Sequence, residues 1–228
     1  IFYLHKWPPL IRSGERQLKF ILPVANCYSI WSEIVHWLNM ASRLPCTEAE
    51  GPGRRAALWV QGCNKRCRGC CNPAYLQLVE RELVSAASVL EWLENAHHAH
   101  DLEGVTFLGG EPMLQAQGLT VVAQGAQSLG LSVMVFSGYT NDELDVLQLP
   151  GVDQLLRYTD VLVDGPYEVN LPEKNRHWAG SANQQFHYLT TRYDARIESD
   201  GEVERVLEVR LRTDGSVFVN GWPEKVLR

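Results

Sequence analysis

The sequence predicts an α/β fold built on an open, parallel sheet and followed by a C-terminal β-hairpin. Between residues 56 and 165, short apolar runs alternate with helix-like segments, as in sheets joined by helical crossovers. Four such strands are counted, too few for a closed eight-stranded barrel but enough for an open or partial one. Residues 206–221 instead alternate around Asp214-Gly215, which indicates a hairpin.

The four runs are interpreted as buried strands of the parallel sheet. They cover residues 56–60 (AALWV), 104–108 (GVTFL), 131–136 (LSVMVF) and 160–164 (DVLVD). Each is a short apolar stretch of the kind that fully buried strands show. Trp59, in the first strand, is expected to lie in the core.

Helix signals lie between these strands. Residues 85–96 begin with Ser85 as a candidate cap, and residues 119–129 are followed by Gly130 at the position where helices often end in glycine. Each predicted helix has an apolar stripe on one side. In the first helix the stripe consists of Ala86, Val89, Leu90 and Leu93, and in the second it consists of Leu119, Val122, Ala126 and Leu129.

Two shorter helices are expected before the last parallel strand. Thr140 and Glu143 have the spacing of a capping box, which predicts a helix over the residues that follow Thr140. A further short helix is expected at 152–157.

The chain is divided into three predicted parts. Residues 1–38 form an N-terminal extension of unknown role, within which 28–38 has helical spacing. Residues 39–190 form the core domain. Residues 191–228 form a C-terminal extension that contains the hairpin.

Composition and charge narrow the function classes. The net charge of −6 gives no support to a broad nucleic-acid or anionic-membrane footprint, so neither partner is predicted. No stretch approaches the roughly 18 uninterrupted apolar residues of a spanning helix. The nearest imitation of a signal sequence, residues 20–31, is interrupted by Pro23 and Asn26, and a cytoplasmic location is expected. In a reducing compartment, clustered cysteines indicate metal or redox chemistry more often than disulfides.

Four of the six cysteines lie within nine residues, as Cys63-x-x-x-Cys67-x-x-Cys70 followed directly by Cys71. Structural zinc usually needs two separated ligand pairs, and here there is one compact triple. The histidines at 97, 98 and 100 are candidates to complete a zinc site, although a histidine run at a helix end is more typical of solvated surface. An iron–sulfur cluster fits better, because three thiolates on four irons leave one iron open for chemistry.

The other residues of the cysteine loop allow two interpretations each. Cys71 is either a fourth ligand or a small packed residue, and the second is favoured because the neighbour of a ligand normally points elsewhere. Lys65, Arg66 and Arg68 either stabilise anionic thiolates or belong to an exposed polar loop.

The cysteine spacing after a first strand resembles the radical S-adenosylmethionine (SAM) superfamily. FLGGEP (107–112) is similar to that superfamily's Gly-Gly-Glu-Pro motif. FSGYT (136–140), LVDGPYE (162–168) and GSANQ (180–184) are similar to the anaerobic ribonucleotide reductase activating proteins within it. The resemblance runs from about residue 38 to 190. Gly69 departs from the aromatic residue common before the third cysteine, a departure that the activating proteins share.

The resemblance implies a partial parallel β/α barrel, a [4Fe–4S] cluster and SAM. It implies that Cys63, Cys67 and Cys70 are both metal ligands and catalytic, and that SAM is cleaved reductively to a 5′-deoxyadenosyl radical, which then abstracts a hydrogen atom. The implied cofactor-binding residues are Gly109, Gly110, Glu111, Pro112, Ser137 and Asp164.

These residues have specific expected roles. The two glycines let backbone approach a ligand closely, and Glu111 would place charge opposite the SAM ammonium, unless it is an exposed carboxylate of a tight turn. Ser137 would meet the ribose or carboxylate of SAM, or cap a turn. Asp164 ends the fourth strand at the same rim. Asn183 and Gln184 would shape the site or partner surface, or serve as loop polar groups.

Three functions remain open at this point. The first is an activase that installs a glycyl radical on a partner enzyme. The second is a maturase that crosslinks, epimerises or excises backbone from a ribosomally made peptide. In that case the hairpin of the tail and residues 1–38 would add a recognition surface for a leader peptide or an accessory recognition protein, since a hairpin edge can accept an extended strand. The third is a non-catalytic metal-binding interaction module. The enzyme hypotheses require a protein or peptide substrate and a reduced flavodoxin- or ferredoxin-type electron donor.

Overall fold

The computed structural model describes residues 36–199, 206–211 and 213–221. They belong to one compact unit, Val35–Arg228. The predicted N-terminal extension lies almost entirely outside the described residues. The helix predicted at 28–38 is wrong at its described end, where Trp37 and Leu38 are in a strand.

A seven-stranded mixed sheet organises the described residues. Its strands are β1 (Trp37–Thr47), β2 (Arg55–Val60), β3 (Leu83–Ser85), β4 (Gly104–Gly109), β5 (Ser132–Phe136), β6 (Val161–Asp164) and β7 (Gln185–Tyr188). The strand order is β3-β1-β2-β4-β5-β6-β7. The neighbours β2, β4, β5 and β6 pair in parallel, which confirms the four predicted strands as the centre of the sheet.

The sheet is less uniformly parallel than predicted. β1 pairs antiparallel with both β2 and β3, and β7 pairs antiparallel with β6. These strands escape sequence analysis because β1 mixes buried and exposed positions and its pairing with β2 shifts register twice. β3 has three residues and β7 four, too short for a clear period. Curvature into a partial barrel stays a prediction.

Four α-helices lie where the sequence predicts them. They are α1 (Ala86–His100), α2 (Ala116–Ser128), α3 (Asn141–Leu147) and α4 (Val152–Arg157). The Ser85 hydroxyl caps α1 by accepting a hydrogen bond from Ser88 N at 3.1 Å. Thr140 and Glu143 form the expected capping box of α3. Within the described ranges, no helix is long and apolar enough to cross a membrane.

Different elements pack against the two faces of the sheet. Alternate strand residues, including Leu58, Phe107 and Val135, pack with α1 and α2 in the main core. On the opposite face, Trp59 and Leu108 pack near Phe218 of the C-terminal hairpin. The four parallel strands β2, β4, β5 and β6 are therefore buried on both sides, as their continuous apolar runs predict.

The C-terminal hairpin is present as β8 (Leu207–Leu211) and β9 (Val217–Gly221). The strands pair antiparallel, with Leu207 opposite Gly221 and Leu211 opposite Val217. The turn contains Gly215 at φ +82°, a conformation that glycine adopts without strain. The hairpin is thus placed against the sheet face that the main helices leave free.

Candidate active site

The predicted motifs meet at one edge of the sheet. The carboxyl ends of neighbouring parallel strands lie side by side, and open α/β sheets bind ligands there. The cysteine loop follows β2, the Gly-Gly-Glu stretch ends β4, Ser137 follows β5 and Gly165 follows β6. Residues from all four positions line a single cavity of about 330 Å³.

Backbone hydrogen bonds close the cysteine loop on itself. Gly62 N donates to Tyr75 O at 2.8 Å, and Cys63 N donates to Leu76 O at 3.1 Å. Within the loop, Cys70 N donates to Cys67 O at 3.2 Å. The thiols are therefore carried on a folded loop that is tied at its base to the chain that follows it.

The four clustered cysteines all line the cavity and carry free thiols. Cys63 is buried, and burial raises the pKa of its thiol. The Cys71 thiol donates a hydrogen bond to the Cys70 sulfur, which lowers the pKa of Cys70 to about 6. This hydrogen bond favours the thiolate of Cys70, the form that binds metal.

The surroundings of Cys71 differ from the prediction that it is a small packed residue. It is exposed rather than packed, and it lies beside Cys70 in the cavity lining. The expectation that it is a small packed residue is therefore wrong. Its hydrogen bond to Cys70 raises the pKa of Cys71 itself.

The Gly-Gly pair packs directly against the cysteine loop. A Cβ on Gly110 would lie 2.2 Å from Gly62 O, and one on Gly109 would lie 2.5 Å from Val60 N. Gly110 N donates to Val60 O at 2.7 Å, and Glu111 N donates to Gly62 O at 2.8 Å. Only residues without side chains allow this approach of the two motifs.

Glu111 is fully buried at the base of the cavity, so it is not the exposed carboxylate of a turn. Its Oε1 accepts from Met113 N at 3.0 Å and from Ser137 Oγ at 2.9 Å, and its Oε2 accepts from Gly138 N at 2.7 Å. Burial raises the pKa of Glu111 to about 7. A carboxylate has about four acceptor positions. Three are used, and the remaining one is available to a donor in the cavity.

Ser137 lines the cavity and connects two of its loops. Its hydroxyl donates to Glu111 and accepts from Tyr139 N at 3.0 Å.

The Lys65 ammonium binds the Glu143 carboxylate at 2.7 Å and lies 4.4 Å from the centre of the Tyr139 ring. Lys65 therefore fastens the cysteine loop to the start of α3, whereas Arg66 and Arg68 are exposed.

Asp164 and Pro112 do not line the cavity. The Asp164 carboxylate accepts a hydrogen bond from Asn141 N and lies 3.0 Å from His187 Nε2. Pro112 is buried at the start of a short 3₁₀ helix. Both support the rim of the site from outside the lining, and their predicted contact with a cofactor stays a prediction.

The GSANQ stretch contributes its first and last residues, Gly180 and Gln184, to the cavity lining. Gln184 lines the cavity, and its Oε1 accepts from Gly180 N at 2.8 Å and from Ser181 N at 3.1 Å. Asn183 Nδ2 donates to Pro166 O at 2.8 Å and belongs to the loop structure. The histidines of the last turn of α1 take no part in the lining.

Sequence analysis missed several residues of the cavity wall. Trp178 lines it with φ of +56°, an uncommon conformation for an aromatic residue. Phe218 and Asn220, from the hairpin, line it as well, together with Glu50. These contributions depend on contacts between distant parts of the chain. The only sequence signal nearby is that Trp178 lies two residues before the recognised GSANQ stretch.

The donor set fits a multi-iron cluster better than a single ion. Within the ranges that the structure describes, no three His, Cys, Asp or Glu side chains form a group that could hold one metal ion. A structural zinc ion would need such a convergent set. An iron–sulfur cluster is larger and takes each thiolate on a different iron. The free thiols of Cys63, Cys67 and Cys70 all line this cavity, and that of Cys70 has a lowered pKa, which matches that requirement.

Comparisons with known proteins agree with this donor set. Residues 49–187 match the model of the 4Fe-4S single cluster domain family. The chain is 31% identical over 153 residues to the anaerobic ribonucleoside-triphosphate reductase-activating protein of Enterobacteria phage T4, covering 65% of this chain and 92% of that protein. It is 28% identical over 158 residues to the protein of the same name from Escherichia coli K12, covering 67% of this chain and 99% of that protein. The Vibrio cholerae protein of that name is 31% identical over 167 residues, covering 67% and 99%.

One solved structure with a partial similarity is QueE from Escherichia coli. The TM-score is 0.39 at 13% sequence identity, covering 54% of this chain and 68% of that chain.

Proposed function

Since the chain belongs to the 4Fe-4S single cluster domain family and to the anaerobic ribonucleoside-triphosphate reductase-activating proteins, we propose that it is a radical SAM activase that installs a glycyl radical on an anaerobic reductase. One observation carries the proposal. The cysteine triple and the Gly-Gly-Glu stretch are joined backbone to backbone across one cavity.

Cys63, Cys67 and Cys70 would hold the cluster, and Glu111 with the adjoining glycine backbone would hold SAM. When bound, the cluster and SAM together supply reductive cleavage to a 5′-deoxyadenosyl radical that abstracts hydrogen from the substrate. The protein's own task is then to position the ligands and to exclude water.

Glu111 is the residue of this chain best suited to bind an ammonium group. Its carboxylate is already oriented by three hydrogen bonds and keeps one acceptor position. Burial disfavours the ionised form of Glu111, and a cation beside it in the cavity would stabilise the carboxylate. Ser137 acts as a positioning residue, because its hydroxyl orients Glu111.

Lys65 holds the cysteine loop in place through Glu143 and Tyr139. Its positive charge also lies on the loop that carries the thiolates, where it offsets their negative charge. The loop therefore needs no rearrangement of these contacts to present its thiols to the cavity.

The activase is favoured over the peptide maturase because the relatives named above are activating proteins of a reductase. The protein substrate proposed here is accordingly an anaerobic ribonucleoside-triphosphate reductase. We further propose a cytoplasmic location and a reduced flavodoxin- or ferredoxin-type donor, since the chemistry requires a low-potential electron.

The test is formation of 5′-deoxyadenosine from SAM by chain reconstituted anaerobically with iron and sulfide and reduced with dithionite. Wild-type chain is expected to form the product, and Cys67→Ala is expected to lose both the brown cluster colour and the product. Cys46→Ala is the matched control, because Cys46 lies in β1 and does not line the cavity. A fully loaded cluster without product would favour the metal-binding module and overturn the proposal.

A further inference from the structure

The C-terminal hairpin has its polar and apolar faces reversed. Side chains alternate between the two faces of a strand, and a hairpin on a protein surface normally turns its apolar face inward. In β8 and β9 the residues Leu207, Val209, Leu211, Val217 and Val219 share one face. The polar residues Glu208, Arg210 and Asn220 share the other face with Phe218.

The mainly polar face is the one that contacts the core. Arg210 Nη2 donates to Cys46 O at 2.7 Å, and Glu208 Oε1 accepts from Glu48 N at 2.8 Å. Asn220 Nδ2 donates to Thr47 Oγ1 at 2.9 Å. Phe218 packs edge-on against Trp59, with ring centres 6.0 Å apart. The orientation of the hairpin is thus set by specific contacts with the end of β1 and the turn after it.

The aliphatic face is left towards solvent. Val209 is 57% exposed, Leu211 is 80% exposed and Val217 is 57% exposed. None of the five side chains on this face is charged or polar. Contiguous aliphatic surface of this kind is uncommon on a protein without a partner and marks interaction sites.

This face continues into the candidate active site. Val219 belongs to it and also lines the cavity, beside Phe218 and Asn220 of the other face and Val206 and Gly221 at the base of the hairpin. Gly221 N donates to Glu50 Oε1 at 2.8 Å, which fixes that base at the cavity wall. A chain lying on the aliphatic face would therefore pass the end of the hairpin that borders the cavity.

The hairpin lies outside the part of the chain that matches the family. The family match ends at residue 187. The relatives are matched over 92–99% of their length, yet they cover only 65–67% of this chain. A surface added beside a shared site is suited to select a partner rather than to perform the shared chemistry.

We propose that the aliphatic face of the hairpin is the docking surface for an extended apolar segment of the reductase, close to the glycine that receives the radical. The proposal rests on the proposed function, because it assigns a partner to that same site. An extended segment fits because the hairpin offers strand edges and alternating aliphatic side chains, the features that peptide strands bind.

The test compares full-length, cluster-loaded chains for binding to the anaerobic ribonucleoside-triphosphate reductase of the same organism, labelled with a fluorophore. The variant V209T/L211T/V217T keeps strand-forming residues but makes the face polar. Its affinity is expected to fall roughly tenfold or more, from three lost apolar contacts. The matched control V146T/L147T alters aliphatic residues of α3 that are also exposed, and its affinity is expected to stay unchanged.

The outcomes separate this proposal from the proposed function. The triple variant is expected to keep wild-type formation of 5′-deoxyadenosine in the absence of reductase, which also shows that it is folded. Leu211→Thr alone, the most exposed position, is expected to weaken binding several-fold. Unchanged reductase affinity in both variants, or no binding by the wild-type chain, would overturn the docking surface while leaving SAM cleavage intact. A wild-type dimer that the triple variant dissociates would also overturn it, because the face would then belong to a second copy of this chain.

Discussion

Gly110→Ala tests the contact on which the candidate site depends. The new Cβ would lie 2.2 Å from Gly62 O and 2.7 Å from Gly62 C, both backbone atoms that no rotamer change can move. Relieving the overlap requires the Gly-Gly turn and the cysteine loop to separate by roughly 1 Å, since non-bonded atoms pack at about 3.5 Å.

The size of the effect follows from two hydrogen bonds. The bonds from Gly110 N to Val60 O and from Glu111 N to Gly62 O measure 2.7 and 2.8 Å, and a 1 Å separation would break both. At about 1 kcal/mol for each bond and about 1–3 kcal/mol for overpacking, the free energy of unfolding is expected to fall by about 3–5 kcal/mol.

The assay is urea unfolding of the metal-free chain, followed by SAM binding to the reconstituted chain. Gly130→Ala is the matched control: Gly130 has φ +79° but nothing within 4 Å of a built Cβ. That change is expected to cost about 1 kcal/mol, from backbone strain alone. SAM affinity is expected to fall at least about tenfold in Gly110→Ala, because a 1 Å displacement of Glu111 removes a charged contact, and to be retained in the control. Equal stability of the two variants, with equal SAM affinity, would show that the contact between Gly110 and Gly62 does not hold the two motifs together.

Three further predictions follow from contacts in the core, the 173–176 loop and the cysteine loop. Arg55→Met is expected to lower the free energy of unfolding by about 3 kcal/mol, because the fully buried guanidinium donates to two hydroxyls and three carbonyls; unchanged urea denaturation would contradict this. Burial opposes ionisation of Glu173, but hydrogen bonds from the next two backbone N–H groups and from Arg176 outweigh it and lower its pKa. The ionised carboxylate of Glu173 therefore stabilises the fold above the ordinary pKa of a glutamate, and this stabilisation is lost as the pH falls through the lowered pKa. Glu173→Gln is expected to flatten the acid side of a profile of melting temperature against pH. A profile unaltered by the substitution would count against this. Cys71→Ala is expected to keep its iron content, and loss of iron from that variant would make Cys71 a ligand.

Much of the sheet and the helices could be predicted because their signals are local. Residues 56–60 of β2 are all apolar and buried, so their run is uninterrupted. The capping box of α3 is complete within four residues. The cysteine spacing is equally local, and the thiols it predicts as ligands do lie on one cavity.

The rest of the site depends on contacts between distant residues, which no local pattern records. Ser137 meets Glu111 across 26 residues, and Asn220 meets Thr47 across 173. The orientation of the hairpin also depends on distant contacts, because the alternation of its residues alone would predict that Val209 and Val217 face the core. β1 was missed because a strand with two register shifts has no clean period of two.

The most direct test of the account is electron paramagnetic resonance of the reduced, reconstituted chain with and without SAM. If Cys63, Cys67 and Cys70 are the only protein ligands and one iron is open, adding SAM is expected to change the cluster signal. A fully loaded cluster whose signal is the same with and without saturating SAM would contradict the account.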